Sequence, residues 1–419
     1  MSAPTTGAPA AANSLKELAA APGLLSLLGW SLVGRLHLSA TLVALLVVAA
    51  DITGSYATAG LVSGALVLGQ GLTAPLRGRT VDRRPAARVL MWTSVVYGAG
   101  VAALAAVPAR AGWEPLAGAA FLVGLACPPS TQVSRAKVAQ LAQGGLRRRA
   151  FTLQATVNEL VLVTGPGAAS LAIAGVGARG AVAFCGALAA VGGFGLAAAV
   201  RRAGVDAPAV TEAADEGASE GSLLRDPAVV RSVAAVTALI SGFAIIDFVL
   251  VSWSHQRGSP ALGGVLTGVW AAGSAAGGLA ATLWLDGAVN LRRRLLLVAA
   301  GVALLLPALA TPLTGGSPWA VAAALAVGGM AIPPALAALY DHVADSAGPA
   351  RRGEAFGWIA TATTAASAAA NPLAGAALDR WGPWAPVAVA VVACCLATGL
   401  VAGARRMPAH ANGKVPAVS

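Results

Sequence analysis

Four ionisable side chains interrupt long apolar runs of this 419-residue sequence. They are Arg35 and His37 in the first run, Glu159 in the fifth and Asp247 in the seventh. A charge inside a hydrocarbon layer is costly, so such residues usually face a partner or a water-filled cavity. A carboxylate in that setting can take up and release a proton as its surroundings change. The sequence therefore predicts proton uptake at Glu159, Asp247 or both.

These four residues, with Asn158 beside Glu159, are also the predicted lining of a substrate cavity. Two structural alternatives stay open: Arg35 and Glu159 can neutralise one another as a packed pair, and His37 can fill a buried position. The four histidines lie in separate regions, and the four cysteines lie in apolar runs without the spacing of a metal site or a disulfide framework. We therefore expect no metal and no cofactor.

The elements that position these residues follow from composition. Hydrophobic residues make up 57% of the chain and charged residues 11%, with a mean hydropathy of +0.75. So few charges cannot cover a soluble surface, whereas a helical membrane protein needs no more. The apolar runs are too long and continuous for a strand barrel. The net charge of +11 comes from short loops between the runs, which argues against a nucleic-acid partner.

Twelve apolar runs each approach the roughly 20 residues that a helix needs to cross a bilayer. They cover about 24–50, 56–76, 89–107, 115–134, 150–174, 180–200, 230–252, 261–285, 295–312, 317–340, 355–378 and 385–404. The connections are short except for 201–229, whose acidic residues among Ala, Gly and Ser predict a disordered linker. We therefore expect five parts: an N-terminal tail 1–23, a six-helix half 24–200, the linker 201–229, a second six-helix half 230–404 and a C-terminal tail 405–419.

Orientation follows from the basic residues, which favour the cytoplasmic side of a membrane. With the N-terminus inside, 23 of the 28 Lys and Arg residues fall in the cytoplasm. The exceptions are Arg35, within a run, and Arg110, Arg179, Arg257 and Arg380. Both termini, the linker and the tails are thus predicted to be cytoplasmic. Arg outnumbers Lys 25 to 3, which is typical of a high-GC bacterial genome and places the chain in a bacterial inner membrane.

The two halves repeat one another at an offset of 204 or 205 residues. The matched positions are Pro22 and Pro227, Pro128-Pro129 and Pro333-Pro334, Ala150-Phe151 and Ala355-Phe356, and Asp82 and Asp286. Parallel repeats of this kind are typical of transporters built from two related halves. Paired prolines inside apolar runs remove backbone hydrogen bonds, so both pairs are predicted helix kinks. The kinks either bend cavity-lining helices during transport or are static.

The charged stretch from Gly78 to Arg88 joins the second and third runs, and it predicts a tight loop at a membrane face. Its order is Gly78, three residues, Asp82-Arg83 and then Arg88. This pattern resembles the loop between the second and third helices of the major facilitator superfamily of transporters. The resemblance implies that Asp82 caps a helix and pairs with nearby basic groups, forming a latch between the halves on the cytoplasmic side. The alternative is that this stretch is only a basic membrane anchor that contains one Asp.

A second stretch in the fifth run, Gly165-Pro166, resembles the Gly-Pro motif of antiporters in the superfamily, and Pro166 is a further predicted kink. The match is partial, because Val161 stands where the motif has a Gly. A small-residue packing seam is the alternative reading. Many proton-driven exporters of the superfamily carry an Arg deep in the fourth helix, whereas this chain has Arg135 near the predicted cytoplasmic end.

The resemblance implies an all-α membrane protein with twelve helices in two pseudo-symmetric halves, and a transporter rather than an enzyme. The expected function is export of a small organic compound by proton antiport with alternating access. Three other functions stay open: uptake by a proton symporter or facilitator, a polytopic membrane enzyme, and a non-transporting sensor. The expected partners are the substrate, protons and the bilayer, and the protein is expected to be a monomer.

Overall fold

A computed structural model of the protein describes residues 17–18, 20–54, 56–108, 110, 112–208, 223–284, 290–310 and 317–402. Every regular element in these ranges is helical. Residues 209–222 of the predicted linker lie outside the described residues, as do Asp286, the C-terminal tail 405–419 and most of the N-terminal tail.

We number the helices by the twelve predicted runs and give the parts of a broken helix letters. The bounds are α1 Leu24–Thr53, α2 Tyr56–Arg83, α3 Ala86–Ala105, α4a Trp113–Leu125, α4b Ser130–Leu141, α5 and α6 together Gly144–Arg202, α7 Pro227–Gln256, α8 Pro260–Trp284, α9a Leu291–Ala303, α9b Leu305–Ala310, α10a Pro318–Gly329, α10b Ile332–Ala347, α11 Arg352–Trp381 and α12 Trp384–Ala402. Short 3-10 turns at Leu223–Arg225 and Pro349–Arg351 precede α7 and α11.

Gly177 divides the long helix into two arms, α5 before it and α6 after it. Its φ of 76° and ψ of 168° are non-helical. Glycine adopts such a backbone conformation without the steric cost that a Cβ would add. The chain therefore crosses the bundle twice between Gly144 and Arg202, as the sequence predicts.

Nine segments within the described ranges are long and apolar enough to cross a membrane. The remaining three predicted spans are α5, α9 and α11. With these three the described helices give the twelve spans that the sequence predicts. Large apolar side chains on outward faces remain exposed, for example Leu68 and Leu72 on α2, where lipid would cover them.

The predicted tight loop over Gly78–Arg88 is much shorter than expected. Residues up to Arg83 form the last turns of α2, and α3 begins at Ala86, so only Arg84 and Pro85 are non-helical. A helix satisfies its own backbone hydrogen bonds, and its charged side chains reach water beyond the hydrocarbon layer. Charge therefore marks the membrane face but does not mark the end of the helix.

Packing within each half places a few helices at the centre. In the first half, α1 and α3 pack along the α5–α6 helix, and α2 packs against α4a. In the second half, α7 packs against α11 and α12, and α8 packs against α10a. The halves meet where α2 contacts α11 and where α5 contacts α8 and α10b. We call the end of the bundle at Arg84-Pro85 the basic end and the opposite end the far end.

Candidate functional site

A cavity of about 540 Å³ lies between the halves. Its walls come mostly from α7, α8 and α10b, with one residue each from α5 and α11. The lining residues are Asn158, Ile240, Phe243, Ala244, Asp247, Val251, Thr267, Trp270, Ala271, Ser274, Ile332, Leu336, Tyr340 and Ser367. An apolar lining with a few polar groups is typical of a small-molecule site.

Asp247 is the carboxylate on this lining. It lies on α7, where most neighbouring positions are apolar and pack into the second half. Its side chain is accessible within the cavity and has no hydrogen-bond or ion-pair partner among the described residues. A carboxylate held in this way can bind a cationic group or a proton.

Another part of the wall, beginning one turn before Asp247 on α7, is aromatic. Phe243 of α7 and Trp270 of α8 meet edge to face, with ring centroids 5.8 Å apart and planes at 83°. Such pairs are favourable because the positive edge of one ring meets the negative face of the other. The pair gives the cavity a rigid, apolar surface where α7 and α8 are in contact.

The cavity floor is a group of rings from both halves. Phe151 of α5 lies 6.4 Å from both Tyr340 of α10b and Phe356 of α11, and the last two lie 6.2 Å apart. The guanidinium carbon of Arg135 lies 3.8 Å from the Tyr340 ring centroid and 5.7 Å from that of Phe356. These cation–π contacts join α4b to the second half beneath the cavity.

A buried polar network lies behind the floor. Ser31 of α1 donates to Ser134 of α4b at 2.8 Å, and Gln154 of α5 donates to the same hydroxyl. Arg35 donates to the Ser31 carbonyl at 2.9 Å and to Asn158 Oδ1 at 3.3 Å. Arg35 is only 2% exposed, so it reaches the cavity through Asn158 rather than directly.

The structure brings together some of the predicted cavity residues and not others. Asn158 and Asp247 share the cavity, and Arg35 contacts Asn158. His37 does not line the cavity: it is buried in the first half, where its ring lies 5.1 Å from that of Tyr97 on α3. Glu159 lies on α5, but its side chain is outside the described residues, so the predicted pairing with Arg35 is not described either.

Asp82 lies at the end of α2 and contacts the start of α11. It accepts hydrogen bonds from the backbone N–H groups of Gly353 and Glu354, each at 2.9 Å. The first N–H groups of a helix have no partner within the helix, and they favour a negative charge. Lys137 and Arg352 line the small pocket that Asp82 also lines. Asp82 thus binds the first half to the second.

The other predicted latch residues are placed differently. A Cβ on Gly78 would collide with the Gly353 carbonyl and lie 2.9 Å from the Glu354 Cα, so the absence of a side chain allows α2 to approach α11. Arg83 and Arg88 are exposed at the basic end. The cation that pairs with α11 is instead Arg79, which lies 2.8 Å from Glu354.

A second set of contacts closes the basic end. Arg147 at the start of α5 forms ion pairs with Asp341 and Asp345 of α10b, the latter at 2.6 Å. Arg352 of α11 donates to the Ala139 carbonyl of α4b at 3.3 Å. Both contacts cross between the halves. Sequence reasoning missed them because their signal is only an Arg in a loop region and two acids four residues apart.

The predicted kinks fall at breaks in two helices and within a third. Pro128 and Pro129 lie between α4a and α4b, and Pro333 and Pro334 begin α10b after a break at Met330-Ala331. Pro166 lies within α5 without interrupting it.

Side chains of α2 satisfy carbonyl groups freed at the first break. Thr73 donates to the Leu125 carbonyl at 2.9 Å, and Arg77 donates to the Cys127 carbonyl. Non-helical backbone at membrane depth requires such partners. The break therefore depends on α2, which also carries Asp82.

Comparison with known proteins identifies the family. Residues 23–370 match the Major Facilitator Superfamily, and no match was found among curated proteins. A bacterial homologue of the iron transporter ferroportin, solved in an outward-facing state, superposes with a TM-score of 0.71 at 16% identity, covering 90% of this chain and 98% of that one. The human organic anion transporter MFSD10 (TETRAN) gives 0.68 at 18% identity, covering 90% and 97%. The predicted family, helical class and transporter nature are confirmed, and the chain belongs to the major facilitator superfamily of membrane transporters.

Proposed function

We propose that the protein exports a small organic compound in exchange for protons by alternating access. One observation carries this proposal: the cavity between the halves holds a carboxylate, Asp247, without a basic partner among the described residues. A permanent ion pair would neither load nor release a proton. An accessible carboxylate can do both as the cavity changes its exposure.

The proposed orientation places the basic end in the cytoplasm of a bacterial inner membrane, with both termini on that side. It is supported by the distribution of Lys and Arg. The proposed conformation is outward-facing, because Asp82, Arg147 and Arg352 join the halves at the basic end. The cavity lies on the other side of these contacts. We propose that the protein works as a monomer.

Glu159 and Asp247 are the proposed carriers of the coupling proton. Asn158 lines the cavity, so the adjacent turn of α5 lies at its wall. At a rise of 1.5 Å per residue, position 159 is roughly 22 Å from the start of α5 and position 247 roughly 30 Å from the start of α7. Both helices start at the basic end, so Glu159 lies nearer the membrane centre, where substrate sites of related folds lie.

The test uses purified protein in liposomes with a substrate found by thermal-shift screening of antibiotics, sugars and metabolites. Transport driven by a pH gradient is compared with substrate exchange in the absence of a gradient. We expect Glu159→Gln or Asp247→Asn to lose gradient-driven transport while exchange persists. Asp379→Asn is the matched control, because this carboxylate is exposed at the far end of α11.

Full gradient-driven transport in both variants would refute proton coupling through these residues. Movement of substrate together with protons, rather than against them, would replace export with uptake by symport. Both outcomes are measured in the same vesicles. The first tests which residue carries the proton, and the second tests the direction of transport.

A further inference from the structure

Two guanidinium groups lie on one side of the cavity. Arg135 lines a void of about 10 Å³ together with Gln154 and Asn158, and Arg35 donates to Asn158 from behind. Asn158, Leu336 and Tyr340 line both the void and the main cavity, so the two spaces are neighbours. The void has room for about one water-sized group.

The donors around this void are not all used. Arg35 Nη2 and Arg135 Nε are buried and have no hydrogen-bond partner among the described residues, and Arg35 is 98% buried. No described carboxylate lies within ion-pair distance of either guanidinium. A buried N–H of a charged group that has no hydrogen-bond partner is costly, because it has lost water and gained no acceptor. Two such groups together indicate a ligand of opposite charge.

The acids of the described chain near this region are engaged elsewhere or lie apart from the void. Asp82 binds the start of α11, Asp341 binds Arg147 and Glu354 binds Arg79. Asp247 lines the main cavity but not the void with Arg135. Among the described side chains, the two guanidiniums therefore lie beside α4b and α5, and the carboxylate of Asp247 lies on α7.

The geometry of Arg135 suits an anion. Its guanidinium lies over the face of Tyr340, 3.8 Å from the ring centroid, and this contact uses the flat face of the group. The N–H donors at the edge of a guanidinium point away from such a contact and form a fork that matches a carboxylate, sulfonate or phosphate. The aromatic pair Phe243 and Trp270 supplies the apolar surface across the same cavity.

We infer that the transported compound is an organic anion with an apolar or aromatic body. Its anionic group binds Arg135, with Arg35 and Asn158 behind, and its body lies against Phe243 and Trp270. Charge pairing between the ligand and these guanidiniums contributes to the binding free energy. This inference rests on the proposed transport function and names its substrate class.

The experiment measures equilibrium binding to the full chain in nanodiscs of neutral lipid, with no gradient. Three pairs of probes share a skeleton and differ only in charge: naphthalene-2-carboxylate, biphenyl-4-carboxylate and 4-phenylbutyrate, each with its primary amide. Losing a charge-assisted hydrogen bond costs about tenfold or more in affinity, so we expect the acid to bind at least about tenfold more tightly than the amide in at least one pair.

Arg135→Gln should remove this preference, because it weakens binding of the acid more than binding of the amide. Arg84→Gln is the matched control, because Arg84 is exposed at the basic end. The wild-type comparison needs no variant, so it decides the question even if Arg135→Gln fails to fold. Equal binding of acid and amide in every pair, an absence of binding by all six probes, or a preference that survives in Arg135→Gln would overturn the inference. A transporter of anions that does not use protons would keep the preference and fail only the gradient assay.

Discussion

Replacing Asp82 with Asn tests whether the contact between α2 and α11 holds the basic end closed. The carboxylate accepts two backbone hydrogen bonds from the other half, each at 2.9 Å, and is 5% exposed. Asn keeps one accepting oxygen but turns an NH₂ group toward the second donor. At least one charge-assisted hydrogen bond is therefore lost.

The expected magnitude follows from that loss. A hydrogen bond to a charged group contributes about 1.5–3 kcal/mol. Because both donors belong to α11, the contact stabilises only the conformation that is closed at the basic end. Its removal should lower the ratio of closed to open molecules by roughly 10- to 100-fold. Transport should be impaired, and expression should remain near that of the wild type.

The reaction rate of a cysteine introduced at a buried position measures the ratio of closed to open molecules. Ala344 on α10b is fully buried, and it lies one turn from Asp341, whose carboxylate meets Arg147 of the first half. Opening of the basic end exposes this face. In a background with the exposed Cys395 changed to Ser, the rate at which Ala344→Cys reacts with a maleimide should rise roughly 10- to 100-fold when Asp82→Asn is added.

Asp206 provides the matched control. Its carboxylate accepts from the backbone N–H of Ala87 at 2.7 Å, at the start of α3, so it also caps a helix at the basic end. Ala87 belongs to the first half and Asp206 follows α6 directly, so this contact does not reach the second half, and Asp206→Asn should lower stability without opening the gap between the halves. An unchanged maleimide rate in Asp82→Asn, or an equal rise in Asp206→Asn, would refute the latch. So would wild-type transport by Asp82→Asn.

Two further predictions use the same protein. Gly78→Ala should also raise the reaction rate of Ala344→Cys, because the new methyl would collide with the Gly353 backbone. Gly64→Ala on the same helix meets open space and should leave that rate unchanged. Equal rates in the two variants would contradict the close approach of α2 and α11. Cysteines introduced into 206–222 and after position 406 should react only with reagents that reach the cytoplasm, and labelling of either site from outside intact cells would overturn the proposed orientation.

The fold was largely predictable because the bilayer imposes a simple rule on the sequence. Every buried backbone group must be satisfied within a segment, so apolar runs of about 20 residues become helices. Paired prolines mark the breaks before α4b and α10b for an equally local reason. The ends of helices were less predictable: α2 continues to Arg83 through residues that the charge pattern assigned to a loop.

The site was predictable only in part, because intramembrane charge identifies costly residues without identifying what they face. Asp247 and Asn158 lie on the cavity, but His37 has the same sequence signal and packs against Tyr97 instead. A helix turns 100° per residue, so a polar residue's face depends on how the helix is rotated within the bundle. That rotation is set by packing between helices far apart in sequence.

Apart from the Asp82 contact, the contacts that join the halves were missed. Arg135 and Tyr340 are 205 residues apart, the same offset that relates the two repeats. In transporters built from parallel repeats an axis along the membrane normal relates the two halves, so a residue near that axis can meet its own counterpart. The cation on one copy and the aromatic ring on the other make the floor asymmetric. The Arg135 guanidinium holds α4b against α10b through its contact with Tyr340. A ligand that binds Arg135 would therefore compete with Tyr340 for this one guanidinium.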